Sequence, residues 1–310
     1  MRVLVTGAFG FGGGFLVPHL IEAGDNVLGT YVEKSISDPV CESRYLDICD
    51  LDACKQIISD FQPEVVYNLG GIAFAPDCER DFALALKVNV GGVYNILKAC
   101  AESEHLTTVV QISSSEVYGK ISPQQIPIRE ELEVHALRNY SLSKALSEQV
   151  VRRFVQEPRL NAIIVRAFNH IGPGQRPDFV VSNFAQQLAQ MAKGEREKVM
   201  WVGNLEPRRD FSDVRDIVKG YRLAAARGKN QEVYNLCSGR AVTIQFVLDS
   251  LIEISGLDVE VRQDPERMRP AEVPIIEGSC EKAKTELGWQ PHYTDLKSSL
   301  RDVYDFWLNS

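Results

Sequence analysis

The chain has 310 residues, of which 45% are hydrophobic and 25% charged, and a formal net charge of -8; it is long enough to bury a substantial core as one large unit or two joined ones. The acidic balance argues against a nucleic-acid or anionic-membrane surface, so positive charge serving an anionic ligand has to be local. The seven cysteines (41, 49, 54, 78, 100, 237 and 280) contain no CxxC and read as small buried residues in a reducing compartment, and nothing clusters with the five histidines to hold a metal.

The first predicted strand, residues 3–5, begins with no signal peptide before it and runs into Thr6-Gly7-Ala8-Phe9-Gly10-Phe11-Gly12-Gly13. Glycines 7, 10 and 13 form GxxGxxG between a strand and a helix. There the turn must be tight, the backbone must approach a pyrophosphate, and the helix N-terminus carries partial positive charge. Phe15, Leu16, His19, Leu20 and Ala23 share one face of that helix, and Gly24 stops it. A second strand, residues 26–29, leads to Thr30-Tyr31-Val32-Glu33-Lys34. Its end selects between NAD and NADP. Tyr31 takes the selector place, Glu33 is near, and no arginine follows at once; Lys34 could meet a phosphate. This leans slightly towards NADH.

Strands at 65–69, 108–113 and 162–166 follow, with the continuous apolar character of parallel strands buried on both faces. Between them, Phe82, Leu86, Val90, Val93, Leu97 and Cys100 form one helical stripe, and Leu142, Leu146, Val150 and Phe154 form another. Within the latter helix, Tyr140-Ser141-Leu142-Ser143-Lys144 is YxxxK, which places a phenol and an ammonium on one face. A cation there, with a positive nicotinamide, is expected to lower the phenol's pKa from about 10. Ser113, Ser114 and Glu116 stand at the carboxyl end of the preceding strand, where side chains open onto the ligand crevice. After Arg166 come Gly172-Pro173-Gly174, a helix from Val181, a short strand at 199–202, and helices at 214–225, 243–254 and 295–307. No apolar run approaches the roughly 20 residues of a membrane span, and the expected location is the cytoplasm. The alternation predicts an α/β protein with a doubly wound, Rossmann-type parallel sheet over residues 1–167, with a return segment at about 211–238. The rest of 168–310 forms a smaller C-terminal substrate-binding lobe.

These motifs, with Tyr45-Leu46-Asp47-Ile48, Asn68-Leu69-Gly70-Gly71, Asn89-Val90-Gly91-Gly92, Arg166-Ala167-Phe168-Asn169-His170 and Arg209-Asp210-Phe211, resemble the extended short-chain dehydrogenase/reductase family of nucleotide-sugar epimerases, dehydratases and reductases. Runs at 168–175, 177–185, 203–221, 232–240 and 267–274 are similar to those of its members that reduce GDP-4-keto-6-deoxyhexoses. The chain departs from the family pattern at 68–71, at Arg138-Asn139 and over 72–80. The resemblance implies a homodimer through paired helices, consistent with Ala83, Ala85 and Ala145 on a further helix face. It implies a catalytic group of Ser114, Tyr140 and Lys144, with Glu116 where dehydratases keep a base. NAD(P)H would be held by Gly7, Phe9, Gly10, Phe11, Gly13, Tyr31, Asp47, Ile48, Leu69, Gly70, Gly71 and Ser113, together with Tyr140 and Lys144. A nucleoside diphosphate sugar, GDP-linked by preference, would be held by Asn169, Val180, Arg209, Arg269 and Glu272. The expected reaction is reduction of a C4 ketone. A 4,6-dehydratase and a 4-epimerase with retained NAD(P) are alternatives, and a cofactor-binding sensor without turnover is a remote one.

Overall fold

Side-chain alternation decides how the central sheet is covered. Along β1 (Arg2–Thr6), Val3 and Val5 enter one core and Leu4 the other, all with no solvent exposure. Neighbouring strands repeat this: Val110, Ile163 and Val165 lie on the first side, Val66, Val109 and Ile164 on the second. The computed structural model describes residues 1–32, 39–154, 156–264 and 273–310. Among these, β1, β2 (Asn26–Tyr31), β3 (Glu42–Tyr45), β4 (Val65–Asn68), β5 (Thr107–Ser114), β6 (Leu160–Ala167) and β10 (Val233–Leu236) form one parallel sheet in the order β10-β6-β5-β4-β1-β2-β3. The order reverses between β1 and β4, which opens a crevice beyond their carboxyl ends.

Helices α1 (Phe11–Glu22) and α8 (Val214–Arg227) cover the first face; α2 (Leu51–Phe61), α5 (Val93–Glu102) and α6 (Asn139–Arg153) cover the second. The stripe read as one helix from Phe82 is broken. Short helices α3 (Ala75–Arg80) and α4 (Phe82–Leu86) precede a π-helical segment, Lys87–Gly92, before α5. The wider turn rotates the pattern, so Ala85 and Asn89 are buried instead of Leu86 and Val90. In α6 the expected apolar stripe is split: Leu146 is 38% exposed and Leu142 half-buried, Val150 and Phe154 pack into the second core, and Tyr140, Ser143, Lys144, Ser147 and Glu148 are buried.

The C-terminal part builds a third core from α7 (Val180–Ala192), α9 (Ile244–Ser255) and α10 (Leu296–Asn309). These pack on a small sheet in which β9 (Arg208–Asp213) pairs with β7 (Asn169–Ile171), β11 (Ala241–Thr243) and β13 (Ile275–Ile276). A separate pair joins β8 (Val199–Val202) to β12 (Glu260–Gln263). The chain then returns to the first core, where Cys280, Ala283, Leu287 and Trp289 are buried. That return follows β10 into the main sheet and lies outside the expected return segment. Five of the cysteines are buried, and Cys41 and Cys49 are half-buried. No helix among the described residues is long and apolar enough to cross a membrane.

Candidate active site

The crevice at the switch point is floored by backbone. Gly7 has φ +64°, and a Cβ there would lie 3.1 Å from the Gly70 nitrogen; one on Gly13 would collide with the carbonyl oxygens of Gly7 and Ala8. Helix α1 starts after Gly10 with no side chain capping its first amides, which leaves those N–H groups available to an anion. The cradle therefore suits a dinucleotide pyrophosphate in shape and polarity. Thr6 ties its two walls together, donating to Asn68 Oδ1 at 2.7 Å and accepting from the Gly70 amide at 2.9 Å. Leu69 lies against Gly12, and Gly71 lies beside Asn89 and near the Lys144 ammonium. Phe9 packs edge-on to Tyr31 at the end of β2, and the Phe11 ring stacks on His170 at 5.9 Å, joining the glycine loop to the start of the C-terminal lobe. Ile48 is buried against Gly92, and Asp47 accepts from the Cys49 amide. Glu33 and Lys34 lie outside the described residues.

Tyr140, Ser114 and Lys144 converge above this floor. The Tyr140 hydroxyl lies close enough to Ser114 for the serine to favour its ionised form, and the Lys144 ammonium donates to the Ile112 carbonyl at 3.0 Å. Burial, then the nearby Glu116 carboxylate, push the Tyr140 phenol well above its ordinary value. This runs opposite to the lowering expected from YxxxK: in the free protein desolvation of the phenolate dominates, and the tyrosine is held protonated. Burial lowers Lys144 to about 8. Glu116 is itself raised by burial, against the opposing pull of Arg138 and Arg209. The local positive charge required in an acidic protein is thus present at Glu116. Arg209 donates to the Arg208 carbonyl at 2.9 Å and is lowered by desolvation.

Other expected residues are placed differently. The Ser113 hydroxyl donates to buried Glu148 at 2.5 Å, so its side chain turns away from the crevice. Asn169 opens β7 as an exposed residue, and Val180 opens α7 at 36% exposure. Arg269 and Glu272 lie outside the described residues. Ala85, expected on an external helix face, packs internally with Cys78 and Tyr140.

Several neighbours have contacts that the sequence did not show. Asn89 accepts from the Ile72 amide at 2.8 Å and donates to Ser143 Oγ at 2.9 Å, clamping the cofactor-side loop to α6. Cys78 sits close enough to Lys144 and Tyr140 to influence both charges. Phe74, in the loop that departs from the family pattern, packs on Phe179 at the start of α7 and lies under Arg176. Asn89 stood in the Asn-Val-Gly-Gly motif, and Glu148 carried a legible signal as well, since it continues the four-residue spacing of Tyr140 and Lys144.

A family model described as GDP-mannose 4,6 dehydratase matches residues 4–302. The chain is 33% identical over 306 residues to a GDP-6-deoxy-D-mannose reductase of Pseudomonas aeruginosa, covering 99% of this chain and 97% of that protein. The solved structure of RMD from Pseudomonas aeruginosa complexed with NADPH superposes with a TM-score of 0.87 at 31% identity, covering 100% of this chain and 99% of the other. The UDP-glucose 4-epimerase of Thermotoga maritima, solved with UDP-glucose, superposes with a TM-score of 0.90 at 28% identity, covering 100% and 99%.

Proposed function

Because the chain belongs to the GDP-mannose 4,6-dehydratase family, we propose that its crevice reduces the C4 ketone of a GDP-4-keto-6-deoxyhexose with NAD(P)H, giving a GDP-6-deoxy-mannose- or rhamnose-type product. The observation that carries this is the buried, protonated Tyr140 beside Ser114 above a glycine cradle. A ketone reduction needs a proton for the emerging alkoxide, and a phenol held in its acid form supplies one. The nicotinamide, when bound, supplies the hydride. Ser114 hydrogen-bonds the reacting oxygen, and Lys144 holds the ribose side of the cofactor while keeping positive charge near Tyr140. Gly7, Gly10, Gly13, Gly70 and Gly71 bring backbone against the dinucleotide, with Phe9, Phe11, Tyr31, Asp47, Ile48, Leu69 and the Ser113 backbone around it. Asn169, Val180, Arg209, Arg269 and Glu272 are assigned to the nucleoside diphosphate sugar. Arginine suits that task because its fork matches phosphate oxygens. Tyr31, not arginine, ends β2, which supports a slight preference for NADH.

Residues 1–167 with 211–238 serve the cofactor and the remainder of 168–310 serves the substrate, in a cytoplasmic homodimer. The test is to supply GDP-mannose with a separate GDP-mannose 4,6-dehydratase, follow NADH and NADPH oxidation, and identify the sugar by NMR. Oxidation of neither cofactor would refute the reductase reading. A second reading rests on Glu116, which lies beside Tyr140 where a dehydratase would need a carboxylate base. Consumption of GDP-mannose with no added dehydratase would favour it.

A further inference from the structure

Three successive turns of α6 grip three successive residues at the end of β5. Tyr140 lies beside Ser114, Lys144 Nζ donates to the Ile112 carbonyl at 3.0 Å, and Glu148 Oε1 accepts from Ser113 Oγ at 2.5 Å. Spacing of four residues puts 140, 144 and 148 on one stripe. The first two face the reaction; the third faces the protein. Glu148 is 2% exposed and is gripped from its far side by Arg166 of β6, with Nε 2.9 Å from Oε1 and Nη2 2.7 Å from Oε2. Arg166 is held in turn over the Tyr118 ring at 4.7 Å.

Such a pair is a poor device for stability, because replacing a buried ion pair with apolar residues of similar volume is often neutral or stabilising. It is a good device for register. Two parallel N–H···O bonds between planar groups admit one relative placement. Against β5 the serines of the stripe offer little to interlock: Ser143 and Ser147 donate to the Tyr140 and Lys144 carbonyls at 2.7 Å, and Ser143 accepts from Asn89, which does not belong to the sheet. We propose that Glu148, through its fork with Arg166 and its bond to Ser113, is a positioning residue that sets the axial register of α6 on β5. It thereby fixes the placement of Tyr140 and Lys144 against Ser114. A slip of one residue moves a helix by about 1.5 Å, and a misplacement of about 1 Å can cost roughly 100-fold in rate.

This proposal rests on the catalytic reading of Tyr140, Ser114 and Lys144, and the test separates the two. The double variant Glu148→Leu/Arg166→Met removes the fork while keeping the interior apolar and filled. It is expected to fold with a wild-type thermal midpoint and to bind GDP with little change, while NADH binding weakens no further than in Lys144→Met. Its kcat falls about 10- to 100-fold. Glu148→Asp, which retains the charge opposite Arg166 on a shorter stem, recovers part of that loss. Should the apolar pair not fold, Glu148→Gln gives the same comparison with the side-chain shape conserved. Wild-type kcat in a folded variant overturns the proposal, as does a loss confined to ligand affinity. Tyr140→Phe is measured alongside and is expected to lose about 100-fold or more. Full turnover in Tyr140→Phe sinks the catalytic reading itself; its loss beside a fully active double variant sinks positioning alone.

Discussion

Lys144 holds its ammonium against a backbone carbonyl in a site where burial lowers its pKa to about 8, with Cys78 and Glu148 opposing that fall. A lowered ammonium pKa means the charged form dominates below about 8 and is lost above it. If the charge helps hold the cofactor, NADH affinity of the free protein should weaken as pH rises from 7 to 9.5. Lys144→Met should be weak throughout and flat with pH. Calorimetric titrations at four pH values decide this, and a wild-type affinity that does not change across the range would remove Lys144 from cofactor binding. Arg209 presents the other charge question. Its neighbour Glu116 partly compensates it in the free protein, yet a pyrophosphate would demand the whole fork. Arg209→Ala should weaken GDP by about 2–5 kcal/mol, with NADH binding unchanged because the glycine cradle is elsewhere. Arg209→Lys should recover only part. Equal weakening of both ligands would indicate general unfolding, and undiminished GDP affinity would mean the clamp is misassigned.

At the scale of elements, the glycine loop shows why a short pattern between strand and helix could be read directly. A Cβ at Gly13 would meet the Gly7 and Ala8 carbonyl oxygens, so the turn tolerates no side chain there. Gly13→Ala is expected to lose measurable NADH binding while the C-terminal core still folds; circular dichroism with cofactor fluorescence checks both, and retained binding would mean the loop relaxes around a methyl group. The central strands were equally legible, because burial on both faces demands uninterrupted apolar runs. Edge strand β3 was not, since Glu42 and Tyr45 are exposed and Ser43 and Arg44 half-buried. Helix α6 was legible as a helix, but of its apolar stripe Leu146 turned outward while Val150 and Phe154 met the core. Apolar periodicity normally marks the buried face, whereas here the buried face carries a phenol, an ammonium, a carboxylate and serines. The π-helical segment before α5 was equally hidden, because one extra residue in a turn shifts the register without changing composition.

At the scale of the whole molecule, that outward face becomes informative. Leu84 on α4, Tyr94 on α5 and Leu146 on α6 are 46%, 38% and 38% exposed, on helices that pack together on one side of the sheet. Exposed large apolar residues on adjoining helices suit a second copy of the chain. Light scattering at micromolar concentration should show a dimer, and Leu146→Glu with Tyr94→Glu should give a folded monomer. A wild-type protein that is monomeric under these conditions would overturn the assembly.

The amino-acid sequence by itself determined the alternating α/β plan, the place of the glycine cradle, and the pairing of Tyr140 with Lys144. Each follows from local rules: strand burial, turn sterics, and the 3.6-residue period. It also carried the family likeness through runs in the C-terminal third. Only the tertiary structure decided the charge state of the site. Whether Tyr140 is acid or anion depends on desolvation and on Glu116, which reaches it from another element. The same holds for the fork from Arg166 to Glu148, which joins residues 18 positions apart on a strand and a helix. Desolvation and register are properties of what surrounds a group, and neither is set by its nearest neighbours along the chain.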